Sequence, residues 1–176
     1  MLAFVEVREG MVEGIVKFLI SDTWPFHGEE NPTEELIRMK FQKGVYTADG
    51  NKSFWIIKNN ENIGLIRLFD LPDPTCLFDI RLSKKQRGQG FGVEAVNWLT
   101  DYVFTNCSHI NRIEGHTRND NFAMRKTFFK CGYVKEAYHR KAWPQKGFLY
   151  DSIGYAMIRE DWANKTKTLI DDKFEY

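Results

Sequence analysis

The chain of 176 residues has only three cysteines, Cys76, Cys107 and Cys131. They are far apart and odd in number, with no CxxC spacing and no neighbouring His pair. That excludes a disulfide framework and a zinc site and favours a reducing compartment. Low-complexity linkers and internal repeats are absent, so nothing divides the chain. No apolar run approaches the ~18 residues that a membrane span requires. The opening MLAFVEVREG lacks a basic segment ahead of an apolar one and reads as a strand, not a signal peptide. Net charge is also lacking: 25 Lys and Arg against 24 Asp and Glu leave +1. A surface that grips nucleic acid or anionic lipid over its whole extent is thereby excluded. The expectation is a cytoplasmic globular protein with no metal, nucleic-acid or membrane partner.

What is plentiful is aromatic: 14 Phe, 7 Tyr and 5 Trp. These are too many for disorder and more than a core of this size needs. At roughly 150 residues per domain the length implies one domain, or one plus a tail.

The periodicity predicts strands over 2–8, 53–58, 63–69, 76–82, 112–117, 133–140 and 149–158, where apolar residues alternate or run together between turn residues. It predicts helices over 11–20, 33–43, 90–104 and 121–130, with Thr33 and Asn121 at starts and Gly44 and Gly132 at ends. The order β-α-α-β-β-β-α-β-α-β-β is that of a mixed α/β domain, one sheet with helices on its faces. The domain is expected over 1–162, with a polar tail over 163–176.

The strongest local signal is Ser83-Lys84-Lys85-Gln86-Arg87-Gly88-Gln89-Gly90-Phe91-Gly92, between a strand and a helix. Glycines let the backbone turn sharply and approach a ligand. The following helix offers unpaired N–H groups and partial positive charge. With Lys84, Lys85 and Arg87 this is an anion site suited to a pyrophosphate. A Rossmann fingerprint fails because Val93 stands at the third glycine position, and a P-loop fails for want of GK[ST].

Arg87-Gly-Gln-Gly90-Phe-Gly92 resembles the [QR]-x-x-G-x-[GA] loop of the GNAT acyl-CoA N-acyltransferase superfamily. Asn121, a short helix and Gly132-Tyr133 resemble a second element of that family, and the order of elements agrees over about residues 2 to 160. The close of the chain, Gly147, Asp151 and Glu160-Asp161-Trp162, is similar to the RimJ/RimL-like branch. The resemblance implies a single GNAT-like domain. Its central sheet would be mostly antiparallel, with strands 4 and 5 splayed and helices on both faces.

It further implies acetyl-CoA as co-substrate and transfer of the acetyl group to a primary amine, small molecule or protein N-terminus, by direct attack in a ternary complex. The pyrophosphate would rest on Arg87, Gly88, Gln89, Gly90, Phe91 and Gly92, and the pantetheine arm along Ile80 and Leu82. Asn121 would contact that arm; the competing reading is a plain helix cap. Many family members carry a Tyr acid where this chain has Phe128, which would pack beside the thiol. Thiolate is a fair leaving group without an acid.

Glu114 and then His116, on one face of the fifth strand, are the candidate bases, ahead of Asp79 on the fourth. Trp24 and Phe26, in the loop between the first two helices, and Tyr150, beside the last hairpin, are the candidate acceptor walls. A monomer or homodimer is expected. A non-catalytic CoA-binding sensor or scaffold is the alternative, kept open by the missing phenol.

Overall fold

The computed structural model describes residues 1–173, so the last three residues of the expected tail lie outside the description. Seven strands form one sheet: β1 (Ala3–Glu6), β2 (Lys52–Lys58), β3 (Glu61–Phe69), β4 (Thr75–Leu82), β5 (Arg112–Arg118), β6 (Val134–Gln145) and β7 (Phe148–Ile158). Their spatial order is β1-β2-β3-β4-β5-β7-β6. Every neighbouring pair is antiparallel except β4 with β5. Five helices accompany them: α1 (Val12–Ile20), α2 (Glu34–Gln42), α3 (Phe91–Asn106), α4 (Phe122–Lys130) and α5 (Arg159–Asn164).

The run Ser53-Phe54-Trp55-Ile56 is buried throughout because β2 is covered on both faces. Phe54 and Ile56 join Ile66, Leu68 and Phe78 in a core closed by Ala95, Val96 and Leu99 of α3 and Phe128 of α4. Trp55 and Leu65 point the other way, into a second core with Ile15, Phe18 and Leu19 of α1 and Ile37 of α2. Helices thus lie on both faces, as expected.

The turns follow local chemistry. Asn59 and Asn60 take φ of 49° and 63° between β2 and β3, the left-handed pair that a two-residue hairpin needs and that Asn tolerates. Lys146 and Gly147, at 51° and 77°, do the same between β6 and β7. This last hairpin is longer than its sequence pattern suggests. Trp143, Pro144 and Gln145 belong to β6, where the outer edge of the sheet accepts a proline. Thr33 caps α2 by accepting from the Leu36 N–H. α5 crosses the 162/163 boundary expected from sequence, and Asp161 accepts from Thr166 and Thr168 beyond it.

The feature that positions the site is the parallel pair. β4 and β5 are in register only at Thr75↔Arg112, Cys76↔Ile113 and Leu77↔Glu114. Past Leu77 they diverge, while each keeps its outer partner, β3 or β7, to its end. The wedge leaves the inner side of Phe78–Leu82 without a strand neighbour.

Candidate active site

Two cavities occupy this wedge. The larger, about 400 Å³, is bounded by Ile80 and Leu82 of β4, the glycine loop, the start of α3 and one side of α4. The smaller, about 270 Å³, passes between the diverging strands, with Asp79 and Ile80 on one side and Gly115, His116 and Thr117 on the other. Phe26, His27, Ile80, Asn121 and Met124 line both, so the two spaces adjoin.

The glycine loop is built to receive an anion. Gly88 and Gly90 have φ of 78° and 88°, and a Cβ on either would meet no atom within 4 Å. The chain needs glycine there for its turn, and the turn faces open space. None of the successive N–H groups from Gly88 to Gly92 has a hydrogen-bond acceptor among the described residues; the first helical bonds run from Val93 and Glu94 to the Gly90 carbonyl. Gly90 caps α3 with no side chain, so these donors and the helix dipole stay available. A pyrophosphate fits this set.

The cations are arranged otherwise than the sequence suggests. Arg87 turns back, donating to the Leu82 carbonyl at 2.8 Å and the Thr23 carbonyl at 2.9 Å. The Lys84 N–H donates to Asp22. Arg87 therefore ties the loop to the α1–α2 connection, although it still borders the larger cavity. Lys126 and Lys130 of α4 bring positive charge from the opposite wall. Nothing in their local sequence marks them; only the packing of α4 beside α3 brings them there. Gln89 and Phe91 lie outside the cavity lining: Gln89 donates to the Lys85 carbonyl, and Phe91 packs under the Lys58 ammonium at 4.2 Å.

Asn121 acts as a cap. Its Oδ1 accepts from the Met124 N–H at 3.2 Å and its Nδ2 donates to Thr117 Oγ1 at 2.9 Å. Phe128 is buried, stacked on Tyr155 at 4.5 Å and packed over Gly115, while also bordering the smaller cavity.

Glu114 and His116 do share a face of β5, with His116 Nε2 2.5 Å from Glu114 Oε1. His116 lines the smaller cavity and Glu114 stands behind it. Burial pushes the Glu114 carboxyl up, but hydrogen bonds and charge from His116 and Arg112 outweigh this and hold it below the usual carboxylate value.

A second pair escaped the sequence. His27 Nε2 lies 3.2 Å from both Asp79 Oδ1 and the Ile80 carbonyl. These residues are 52 positions apart, and a lone His in a loop carries no spacing signal. The Ile80 carbonyl, expected to face a pantetheine arm, is thus engaged by His27. Burial raises the Asp79 pKa, but His27, Arg81 and Arg67 prevail and hold the carboxyl well below its usual range.

Of the aromatic candidates, Trp24 is a core side chain: it is 1% exposed, donates to the Leu19 carbonyl and packs on Phe18. Only its margin reaches the larger cavity. Phe26 lines both cavities. Tyr150 lines none of them; its ring lies under the Arg118 guanidinium. Trp143 is the member of the last hairpin that reaches the smaller cavity. Among the described residues no three His, Cys, Asp or Glu side chains form a metal-binding group, and no helix is long and apolar enough to cross a membrane.

Comparison with known proteins agrees with this geometry. The Acetyltransferase (GNAT) domain family matches residues 5–134, from β1 through the glycine loop and α4. An uncharacterized N-acetyltransferase, p20, of Bacillus licheniformis is 32% identical over 82 residues, covering 47% of this chain and 46% of that protein. A second, the SPbeta prophage-derived uncharacterized N-acetyltransferase YokL of Bacillus subtilis, is 25% identical over 146 residues, covering 80% of this chain and 77% of that one. A crystal structure of spermidine N-acetyltransferase from Vibrio cholerae in complex with CoA and spermine superposes with a TM-score of 0.78 at 19% identity, covering 93% of this chain and 98% of that chain.

Proposed function

The chain belongs to the acetyltransferase (GNAT) family, and from that premise we propose that it transfers the acetyl group of acetyl-CoA to a primary amine by direct attack in a ternary complex. The observation that carries this reading is the continuous pair of cavities in the β4–β5 wedge, with the free amides of Gly88–Gly92 at one end and His116 and Asp79 at the other.

The loop amides, Lys126 and Lys130 would hold the pyrophosphate, and Ile80 and Leu82 would flank the pantetheine arm. Bound acetyl-CoA supplies an activated thioester. The chain's own residues do the rest. Holding the two reactants in adjoining cavities removes most of the entropic barrier. His116, which lines the acceptor cavity and is held by Glu114 through Nε2, takes the amine's proton. The ionised Glu114 stabilises the imidazolium so formed. With Phe128 in place of a phenol, the thiolate departs without an acid from that position.

For the acceptor, the RimJ/RimL-like close of the chain supports an α-amine, free or at a protein N-terminus. Fold likeness to the Vibrio protein adds a polyamine to the candidates. The expectation of a monomer or a homodimer is kept, and three free, scattered cysteines suit a reducing, cytoplasmic setting. The test is thiol release by the purified protein from acetyl-CoA with a panel of amines. Amine-dependent release supports the transferase; tight acetyl-CoA binding with no release by any amine supports a non-catalytic sensor instead.

A further inference from the structure

A third cavity, about 210 Å³, opens beside the acceptor end, between Leu19 and Lys40 of the helical layer and Leu65, Arg67, Asp79 and Arg81 of the sheet. It meets the acceptor cavity at Gly28, Arg67 and Asp79, which line both. Its charge is not balanced. Lys40 and Glu29 pair with each other at 2.8 Å. That leaves Arg67 and Arg81 against one carboxylate, Asp79, which His27 also holds.

The two guanidiniums are incompletely used. Arg81 lies 3.7 Å from Asp79 through Nε and covers the Trp24 ring at 5.4 Å, yet its Nη1 is buried with no hydrogen-bond partner among the described residues. Arg67 rests over the Phe69 ring at 4.5 Å and makes no side-chain hydrogen bond or ion pair among the described residues. An atom that no water reaches meets no ligand, so it is the Arg67 guanidinium, bordering both cavities with no acceptor among the described residues, that calls for a partner. Guanidinium forks on neighbouring strands are matched by a carboxylate, which accepts two parallel hydrogen bonds. Tyr46, 7% exposed, lines the same cavity and adds a phenol.

We infer that this cavity receives an anionic group of the acceptor, so that the substrate is an amine with a carboxylate a few bonds from its nitrogen. A free amino acid and a peptide beginning with Asp or Glu both present that chemistry. A polyamine does not: it would set an ammonium against Arg67 and Arg81. The inference rests on the transferase reading and specifies its acceptor. The carboxylate occupies the Arg67–Arg81 cavity, while the amine reaches past Asp79 into the wedge where the thioester carbon lies. Nitrogen then bonds to that carbon, the carbon–sulfur bond breaks, CoA leaves as thiolate and the amine proton passes to His116.

The test uses the full chain and thiol release, with matched acceptors: free L-amino acids, their carboxamides, tripeptide amides beginning with Asp, Glu or Ala, and spermidine. The free acids or the acidic peptides should exceed their uncharged counterparts by about ten- to a hundredfold in kcat/KM, the worth of a charge-assisted hydrogen bond. Which of the two sets responds identifies the source of the carboxylate. Arg67→Gln should erase that preference through KM while acetyl-CoA affinity stays unchanged. Arg81→Lys, which keeps the charge beside Asp79, should reduce it partly.

Equal turnover of acids and carboxamides, a preference for spermidine, or an undiminished preference in Arg67→Gln would overturn the inference. If no amine releases thiol, the transferase reading fails by itself, and the cavity is then judged by calorimetry. Titration of the amino acids into the CoA-loaded protein should show binding that Arg67→Gln abolishes; no binding overturns the inference.

Discussion

The guanidinium carbon of Arg118 lies 3.6 Å from the centre of the Tyr150 ring. It also lies 5.0 Å from the centre of the Phe26 ring. Arg118 Nη1 donates to Gln145 Oε1 at 2.7 Å, and Gln145 in turn donates to the Pro25 and His27 carbonyls. One arginine on β5 therefore latches the loop that carries Phe26 and His27 to the last hairpin. Arg118→Ala should cost about 2–3 kcal/mol in urea denaturation, the range for losing charged hydrogen bonds from a buried site. It should also raise the acceptor KM while leaving acetyl-CoA affinity intact. An unchanged acceptor KM would show that the loop keeps its place without the latch.

Gly115 is glycine because of Phe128. A Cβ there would stand 2.7 Å from Phe128 Cζ and 3.0 Å from Phe78 Cε1. Gly115→Ala should destabilise by about 1–3 kcal/mol, as overpacking does. Adding Phe128→Leu should recover part of the loss, since it removes the atom in conflict. Thermal denaturation of the two single variants and the double variant checks this coupling.

Gly90 has φ of 88° and faces open space. Gly90→Glu places a carboxylate among the free N–H groups that, on the proposed function, would hold a pyrophosphate. Calorimetry should find acetyl-CoA binding abolished, with circular dichroism unchanged and a stability loss of about 1–2 kcal/mol from left-handed strain. Wild-type affinity in this variant would refute the loop's role.

Asp79 ties stability to acid pH. Burial opposes its charge, but His27, Arg81 and Arg67 hold its pKa below the unfolded value. A depressed carboxyl contributes stability that is complete above the unfolded pKa of about 3.9 and is lost as pH falls below it towards the folded value. Asp79→Asn lacks this dependence. The stability gap between wild type and variant should stay level from about pH 6 down to about pH 4.5 and narrow as urea denaturation is moved on to about pH 3. A constant gap would mean that Asp79 is not ionised in the fold.

Burial pushes the Cys76 thiol up to about 12 and Cys131 up to about 11. Neither forms thiolate near neutrality, so both should react with a disulfide reagent only on unfolding. Stopped-flow titration of native and denatured protein tests this.

Much of this molecule was legible in one dimension. The apolar run in 53–58, the Asn59-Asn60 turn and the glycine loop after β4 follow from forces that act over a few residues, and local pattern records those forces. The order of strands and helices announced one sheet with helices on its faces. The strand-to-helix setting of Gly88–Gly92 was legible as a glycine turn leaving free N–H groups at a helix start, and the family resemblance ordered the rest.

Other features depend on residues distant in sequence. His27 meets Asp79, Arg118 meets Tyr150, and Arg67 and Arg81 share a cavity, only because β3, β4, β5 and the α1–α2 connection converge where two parallel strands part. Arg87 shows the same limit. Its sequence places a cation in an anion loop, but its long side chain reaches the Leu82 and Thr23 carbonyls first. The fold class and the glycine loop were therefore written in local pattern. The acceptor end, with its histidines and arginines, was decided by packing, because a side chain's charge acts on whatever the fold sets beside it.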